Sequence, residues 1–174
     1  MPRRLALILT LSLLLTIPAI VSARTPQFRS TRIVPGRSVG GVSLGMTVEQ
    51  VRAAWGPGGS CKPARHPWIC AWDGIGTQAS IDVSLRKGRV AGFSLTPGSD
   101  GHDPRFEGSV GRLRTAARIG LGSSEAALVA AYPALKTLTG VRDIGVTYEL
   151  RTGKHRTQFA VDPDRRIVTS IGLG

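Results

Sequence analysis

Few residues in the chain have the type and spacing for chemistry. Gly41-Val42-Ser43-Leu44-Gly45 fits the G-x-S-x-G pattern, in which a strand-to-helix turn exposes a nucleophilic serine. A matching stretch, Arg118-Ile119-Gly120-Leu121-Gly122, carries Gly where Ser43 stands, so the pattern persists without a nucleophile. With 174 residues the chain is also short for a hydrolase sheet. Asp100-Gly101-His102-Asp103 offers oxygen and nitrogen ligands, but not the ligand number of a calcium loop or the spacing of a zinc site. It reads as a solvated connector. His66 and His155 sit in basic, turn-like contexts with no carboxylate partner placed by the sequence, and read as exposed loop residues rather than general bases. No catalytic residue, metal site or cofactor is expected.

The two cysteines are more informative. Cys61 and Cys70 are the only pair, separated by eight residues that include Pro63 and Pro67. An even count in an exported chain favours a disulfide; C-x-x-C spacing is missing, and His66 between the two cysteines does not by itself complete a redox or metal site. Closing so short a loop removes unfolded-chain entropy worth about 2.5–3 kcal/mol in the chain model, which staples one loop rather than the fold. Trp68 and Trp72 flank Cys70 at strand spacing. Either they cover the disulfide within the core, or they form an aromatic platform for a partner. Trp55, at the end of an apolar helical stripe, is expected in the core.

The elements that must position these residues carry clear local signals. Thr47 and Gln50 form a capping box ahead of Val48, Val51, Ala54 and Trp55, which recur at helical spacing until Gly56-Pro57 stops the helix. Ser124 is a second cap, followed by Glu125 at the positive end of the dipole, Leu128, Ala131 and Tyr132 on the buried stripe, and Pro133 as the stop. After each helix the apolar period changes from about 3.6 to 2. Ile81, Val83 and Leu85 alternate with Ser80, Asp82, Ser84 and Arg86, Lys87-Gly88 makes a tight turn, and Arg89 to Leu95 returns as a strand. Strands are likewise expected over Val146 to Leu150, Arg156 to Val161 and Ile167 to Leu173, the last two joined by the turn Asp162-Pro163-Asp164-Arg165. The wet positions Ser80, Asp82, Ser84, Arg86, Arg156 and Gln158 make either a solvated sheet face or a polar binding surface.

The amino terminus and the charge bear on compartment and partner. Met1 to Arg4 is basic, Leu5 to Val21 is apolar, and Val21-Ser22-Ala23 has small residues at the cleavage positions, so 1–23 reads as a secretory signal peptide. Removing it, with Arg3 and Arg4, leaves 151 residues and a net charge of +10. A secreted or extracytoplasmic location follows, with no stable transmembrane span once the signal is cleaved. An uncleaved amino-terminal anchor is the lesser alternative. Outside the cytoplasm that charge favours anionic envelope polymer, acidic lipid headgroups or an acidic protein surface, whereas nucleic acid is not expected. Arg112, Arg114 and Arg118 form a basic cluster that is the candidate anion-binding site.

At a shift of 77 residues, Val42-Ser43-Leu44-Gly45-Met46-Thr47 and Val51-Arg52-Ala53-Ala54-Trp55-Gly56 meet Ile119-Gly120-Leu121-Gly122-Ser123-Ser124 and Leu128-Val129-Ala130-Ala131-Tyr132-Pro133. The expected fold is therefore α+β: two tandem repeats over 41–97 and 116–174, each a short helical segment followed by an antiparallel meander of about three strands. An exposed arm is expected at 24–40 and a connector at 98–115. The Gly41-Val42-x-Leu44-Gly45-Met46-Thr47-x-x-x-Val51 opening, the aromatic-Gly-Pro helix end and the strands after it resemble the small outer-membrane assembly lipoproteins of the SmpA/OmlA (BamE-like) type. The tandem arrangement with a cysteine pair resembles secreted beta-lactamase inhibitory protein and its relatives. The chain has no lipobox Cys at the cleavage site, so a lipid anchor is not implied, and only one repeat carries cysteines. The resemblance implies a non-enzymatic protein-interaction module, an inhibitor or envelope-assembly factor whose polar sheet face grips an extracellular or envelope protein; a monomer is expected rather than an oligomer. Binding to anionic cell-surface polymer is the alternative function, and a small secreted hydrolase the third.

Overall fold

A computed structural model of the chain describes residues 26–57, 59–62, 68–72, 78–99, 104–138 and 145–174. The expected signal peptide, His66 and Asp100 to Asp103 lie outside them. Three two-residue strands, β1 (Ile33–Val34), β2 (Ser38–Val39) and β3 (Val42–Ser43), pair in that order as a small antiparallel sheet. The exposed arm expected at 24–40 is thus partly core, with Ile33 and Val39 1% and 0% exposed. Backbone bonds hold it there: the Ile33 amide donates to the Arg114 carbonyl at 2.7 Å and the Arg114 amide to the Thr31 carbonyl at 2.9 Å.

Helix α1 (Val48–Trp55) begins at the anticipated capping box. The Gln50 amide donates to Thr47 Oγ1 at 3.4 Å, and the Thr47 amide donates to Gln50 Oε1 at 2.8 Å. Strands β4 (Ser60–Lys62), β5 (Trp68–Trp72), β6 (Ser80–Arg86) and β7 (Arg89–Thr96) follow as an antiparallel meander. Lys87 and Gly88 both take positive φ, 50° and 72°, the left-handed pair of a two-residue hairpin turn that matches strand twist. Cys61 and Cys70 face each other in register across β4 and β5 and form the disulfide.

The segment read as a connector contributes structure of its own. Strands β8 (Gly98–Ser99) and β9 (Pro104–Arg105) pair, and helix α2 (Gly108–Gly111) leads to Leu113, which like Val110 is 1% exposed. Helix α3 (Glu125–Ala131) is capped by Ser124, whose hydroxyl accepts from the Ala127 amide at 3.2 Å with no reciprocal glutamine. Strands β10 (Lys136–Leu138), β11 (Val146–Thr152), β12 (His155–Val161) and β13 (Val168–Leu173) complete the chain.

The expectation of two tandem helix-plus-meander repeats is overturned. The described chain is mostly β, and β4–β7 and β10–β13 form one eight-stranded antiparallel sheet of order β10-β11-β12-β13-β7-β6-β5-β4. The seam lies between β13 and β7, where Ile171, Gly172 and Leu173 pair with Leu95, Ser94 and Phe93. The residues that matched at a shift of 77 encode caps and helix stops, which are local devices; neither the number of strands nor which strands join is written in them. The helices, of eight, four and seven residues, are also too short to give each half its own layer.

The core lies on one face of this sheet. Trp55 of α1 meets Phe28, Trp72 and Phe93 at ring-centroid distances of 5.2, 5.4 and 6.0 Å, and its indole N–H donates to the Gly40 carbonyl at 3.0 Å. On the other side of the seam Tyr132 stacks on Phe159 at 6.0 Å. Among the described residues no helix is long and apolar enough to cross a membrane.

Candidate functional site

Strand periodicity builds the site. In β6, Ile81, Val83 and Leu85 are buried, so Ser80, Asp82, Ser84 and Arg86 point to the opposite, open face. The same parity holds in β12, where Thr157, Phe159 and Val161 are buried while Arg156 and Gln158 face outward. Register carries the open face across the whole sheet. Lys136, Glu149, Gln158, Gly172, Ser94, Asp82, Ala71 and Ser60 are successive cross-strand partners, one from each strand.

The face is graded in size and charge. Its centre is made of small residues, Gly172 and Ser170 on β13 with Ser94 and Gly92 on β7. A Cβ added at Gly172 would find nothing nearer than the Phe93 carbonyl oxygen at 3.9 Å, so the space above this glycine is open. On the β6 side Ser80 and Thr96 hydroxyls lie 2.9 Å apart in a hydrogen bond. On the β12 side Lys136, Arg151 and Arg156 surround a single acid, Glu149. Arg151 Nε donates to Glu149 Oε1 at 2.7 Å and Gln158 Nε2 donates to Oε2 at 3.5 Å. The Arg151 hydrogen bond, aided by the charge of Arg151 and Arg156, holds the Glu149 carboxyl below its ordinary value. Two apolar side chains stand exposed toward the margins, Ile69 of β5 and Leu138 of β10, at 39% and 41%.

The sheet brings together Ser80, Asp82, Ser84, Arg156 and Gln158 on one face, with Arg86 at its end. Trp72 does not join them: it is 1% exposed, inside the aromatic core. Trp68 pairs with Leu85 through its backbone. The Arg112, Arg114 and Arg118 cluster is not a single free patch. Arg114 Nη1 donates to the Gly111 and Leu113 carbonyls at 2.6 and 2.8 Å, while Arg118 occupies a turn at φ 64°. Ser43 lies on β3 opposite Ser38, its amide directed at the Met46 sulfur at 3.4 Å. Among the described residues no three His, Cys, Asp or Glu side chains are grouped to hold a metal ion.

Sequence reasoning missed Glu149, Lys136, Ser94 and Gly172. The alternation of Thr147, Glu149 and Arg151 with Tyr148 and Leu150 could have placed Glu149 on the wet parity. Gly172 and Ser94 had no such signal, because their importance comes from the β13–β7 seam.

No family model and no curated protein matches the chain. Among solved structures it is similar to a cysteine-rich secretory protein from Staphylococcus aureus subsp. aureus Mu50, with 12% identity and a TM-score of 0.50 over 80% of this chain and 46% of that one. It is also similar to an extracellular protein containing a SCP domain from Bacillus anthracis str. Ames, with 10% identity and a TM-score of 0.49 over 75% of this chain and 43% of that one. The chain spans less than half the length of each, and the likeness concerns fold. No beta-lactamase inhibitory protein or SmpA/OmlA-type lipoprotein was matched.

Proposed function

We propose that the chain is an exported, non-enzymatic module that binds another protein through the open face of its large sheet. The observation carrying this reading is one register-aligned row across eight strands on a single face, buried only at Glu149, while the described helices and the β1–β3 sheet give their apolar residues to the core on the other side. At a strand spacing of about 4.8 Å the face is about 34 Å wide, in keeping with the ~800 Å² that each partner buries in a standard interface. Small residues at the centre admit a protruding element of the partner. Lys136, Arg151 and Arg156 at one side suit an acidic partner surface, and Ile69 and Leu138 supply apolar contacts toward the margins. Export rests on the signal-like segment at 1–23 and on the Cys61–Cys70 disulfide, which suits an oxidising compartment. Inhibition of an extracellular enzyme and envelope assembly are the two roles such a face would serve.

Gly172→Trp is the discriminating variant, since it fills the centre of the face from a backbone position with open space above it. Pull-down from envelope extract at about 0.15 M salt is expected to retain a specific protein with the parent chain and to lose it with the variant, at an unchanged urea midpoint. Retention of no protein by the parent chain would count against the proposal. Binding that ignores the substitution but collapses between about 50 and 200 mM salt would replace the sheet face with dispersed charge on an anionic polymer.

A further inference from the structure

The tip of the β11–β12 hairpin holds a concavity that shares Arg151 and Arg156 with the margin of the sheet face. It has a volume of about 390 Å³ and is lined by Arg151, Gly153, Lys154, His155, Arg156 and Gly174. Arg151 and Arg156 are direct cross-strand partners, an arrangement of like charges that costs stability when nothing lies between them. Glu149 offsets part of this through Arg151, and Lys154 adds a further cation to the lining beside Arg156.

The hairpin is also braced. The Gly36 amide donates to Thr157 Oγ1 at 2.7 Å, and a Cβ at Gly36 would lie 3.1 Å from the Cβ atoms of both Thr152 and His155. The β1–β2 turn is therefore seated against the hairpin, so its cations are presented on a supported backbone rather than a free loop, and ordering them on binding costs less.

We propose that this pocket binds the phosphate group of a phosphorylated polyol or sugar. Arginine and lysine are the side chains that match phosphate oxygens. The volume falls within the ~300–1,000 Å³ of small-ligand sites, which leaves room for an organic moiety. The lining has no Phe, Tyr or Trp on which a nucleobase would stack, whereas its imidazole and cationic donors suit hydroxyl groups.

The β6–β7 hairpin is a charge-matched control, because Arg86, Lys87 and Arg89 put as many Lys and Arg cations at its tip as Arg151, Lys154 and Arg156 put here. Calorimetric titration with inorganic phosphate and with glycerol phosphate, at about 0.15 M salt, tests the assignment without any protein partner. Saturable one-to-one binding is expected, tighter for glycerol phosphate. The double variant Lys154→Gln/Arg156→Gln should weaken it about tenfold or more, as befits two charge-assisted contacts, and Arg86→Gln/Lys87→Gln should leave it within about twofold. Tighter binding per phosphate by a glycerol-phosphate polymer would assign the group to a surface polymer, and equal binding to a free ester. Non-saturable titration, or equal losses in the two double variants, would overturn the proposal in favour of unspecific charge.

Discussion

Two glutamates have lost nearly all contact with water, Glu125 at 5% and Glu149 at 4% exposure, and each is held by hydrogen-bonding and cationic partners. Glu125 opens α3, accepts from the Tyr148 hydroxyl and pairs with Arg166, so helix and sheet are tied through one carboxylate. The hydrogen bond to Glu125, with smaller effects of burial and of the carboxylate charge, raises the Tyr148 pKa above its ordinary value. Tyr148→Phe removes the donor and is expected to cost about 1–2 kcal/mol in urea unfolding near neutral pH. Because the folded pKa is raised, this contribution is fully present below the unfolded tyrosine value near 10 and fades as pH rises through the folded one. The gap between parent and variant should therefore narrow at alkaline pH. Glu149 has the opposite sign, since its carboxyl is lowered from 4.5, foremost by the Arg151 hydrogen bond. Its contribution is present above about 4.5 and is lost as pH falls through the folded value. Acid titration of stability should accordingly be shallower in Glu149→Gln than in the parent chain.

At the level of elements, the caps were legible residue by residue. Thr47 with Gln50 and Ser124 without a partner glutamine appear in the structure as two hydrogen bonds and one. Thr47→Ala should cost about 1 kcal/mol, and Ser124→Ala less, when urea midpoints are compared. The Lys87-Gly88 turn and the alternation of β6 were equally local. Gly92 was not legible, because its reason lies 81 residues away: a Cβ there would sit 2.5 Å from the Leu173 carbonyl oxygen. Gly92→Ala is expected to cost about 1–3 kcal/mol by forcing β7 from β13, whereas Gly172→Ala, on the same seam with open space above it, should fall well below that. Equal costs for the two would show that the seam is looser than described.

For the molecule as a whole, the continuous sheet implies one cooperative unit. All three tryptophans, Trp55, Trp68 and Trp72, precede the seam strand β7, and both tyrosines, Tyr132 and Tyr148, lie beyond it. Unfolding followed by tryptophan fluorescence and by tyrosine near-ultraviolet signals should give coincident midpoints, because neither half can unfold without opening the β13–β7 ladder. Separated transitions would mean that the seam carries little coupling. What the sequence determined by itself was short-range: where helices start and stop, which strand positions are wet or buried, which two cysteines join, and which turns reverse the chain. These depend on residues within a few positions of one another, where side-chain chemistry and backbone geometry act directly. The tertiary structure alone decided that the strands form one sheet, that 24–40 and 98–115 contribute core residues, that Trp72 is interior, and that Glu149 and Gly172 share a face with Asp82. Those outcomes follow from pairing between residues about 80 positions apart, where hydrogen bonds are the same for every sequence and only the packing of whole faces selects the partner.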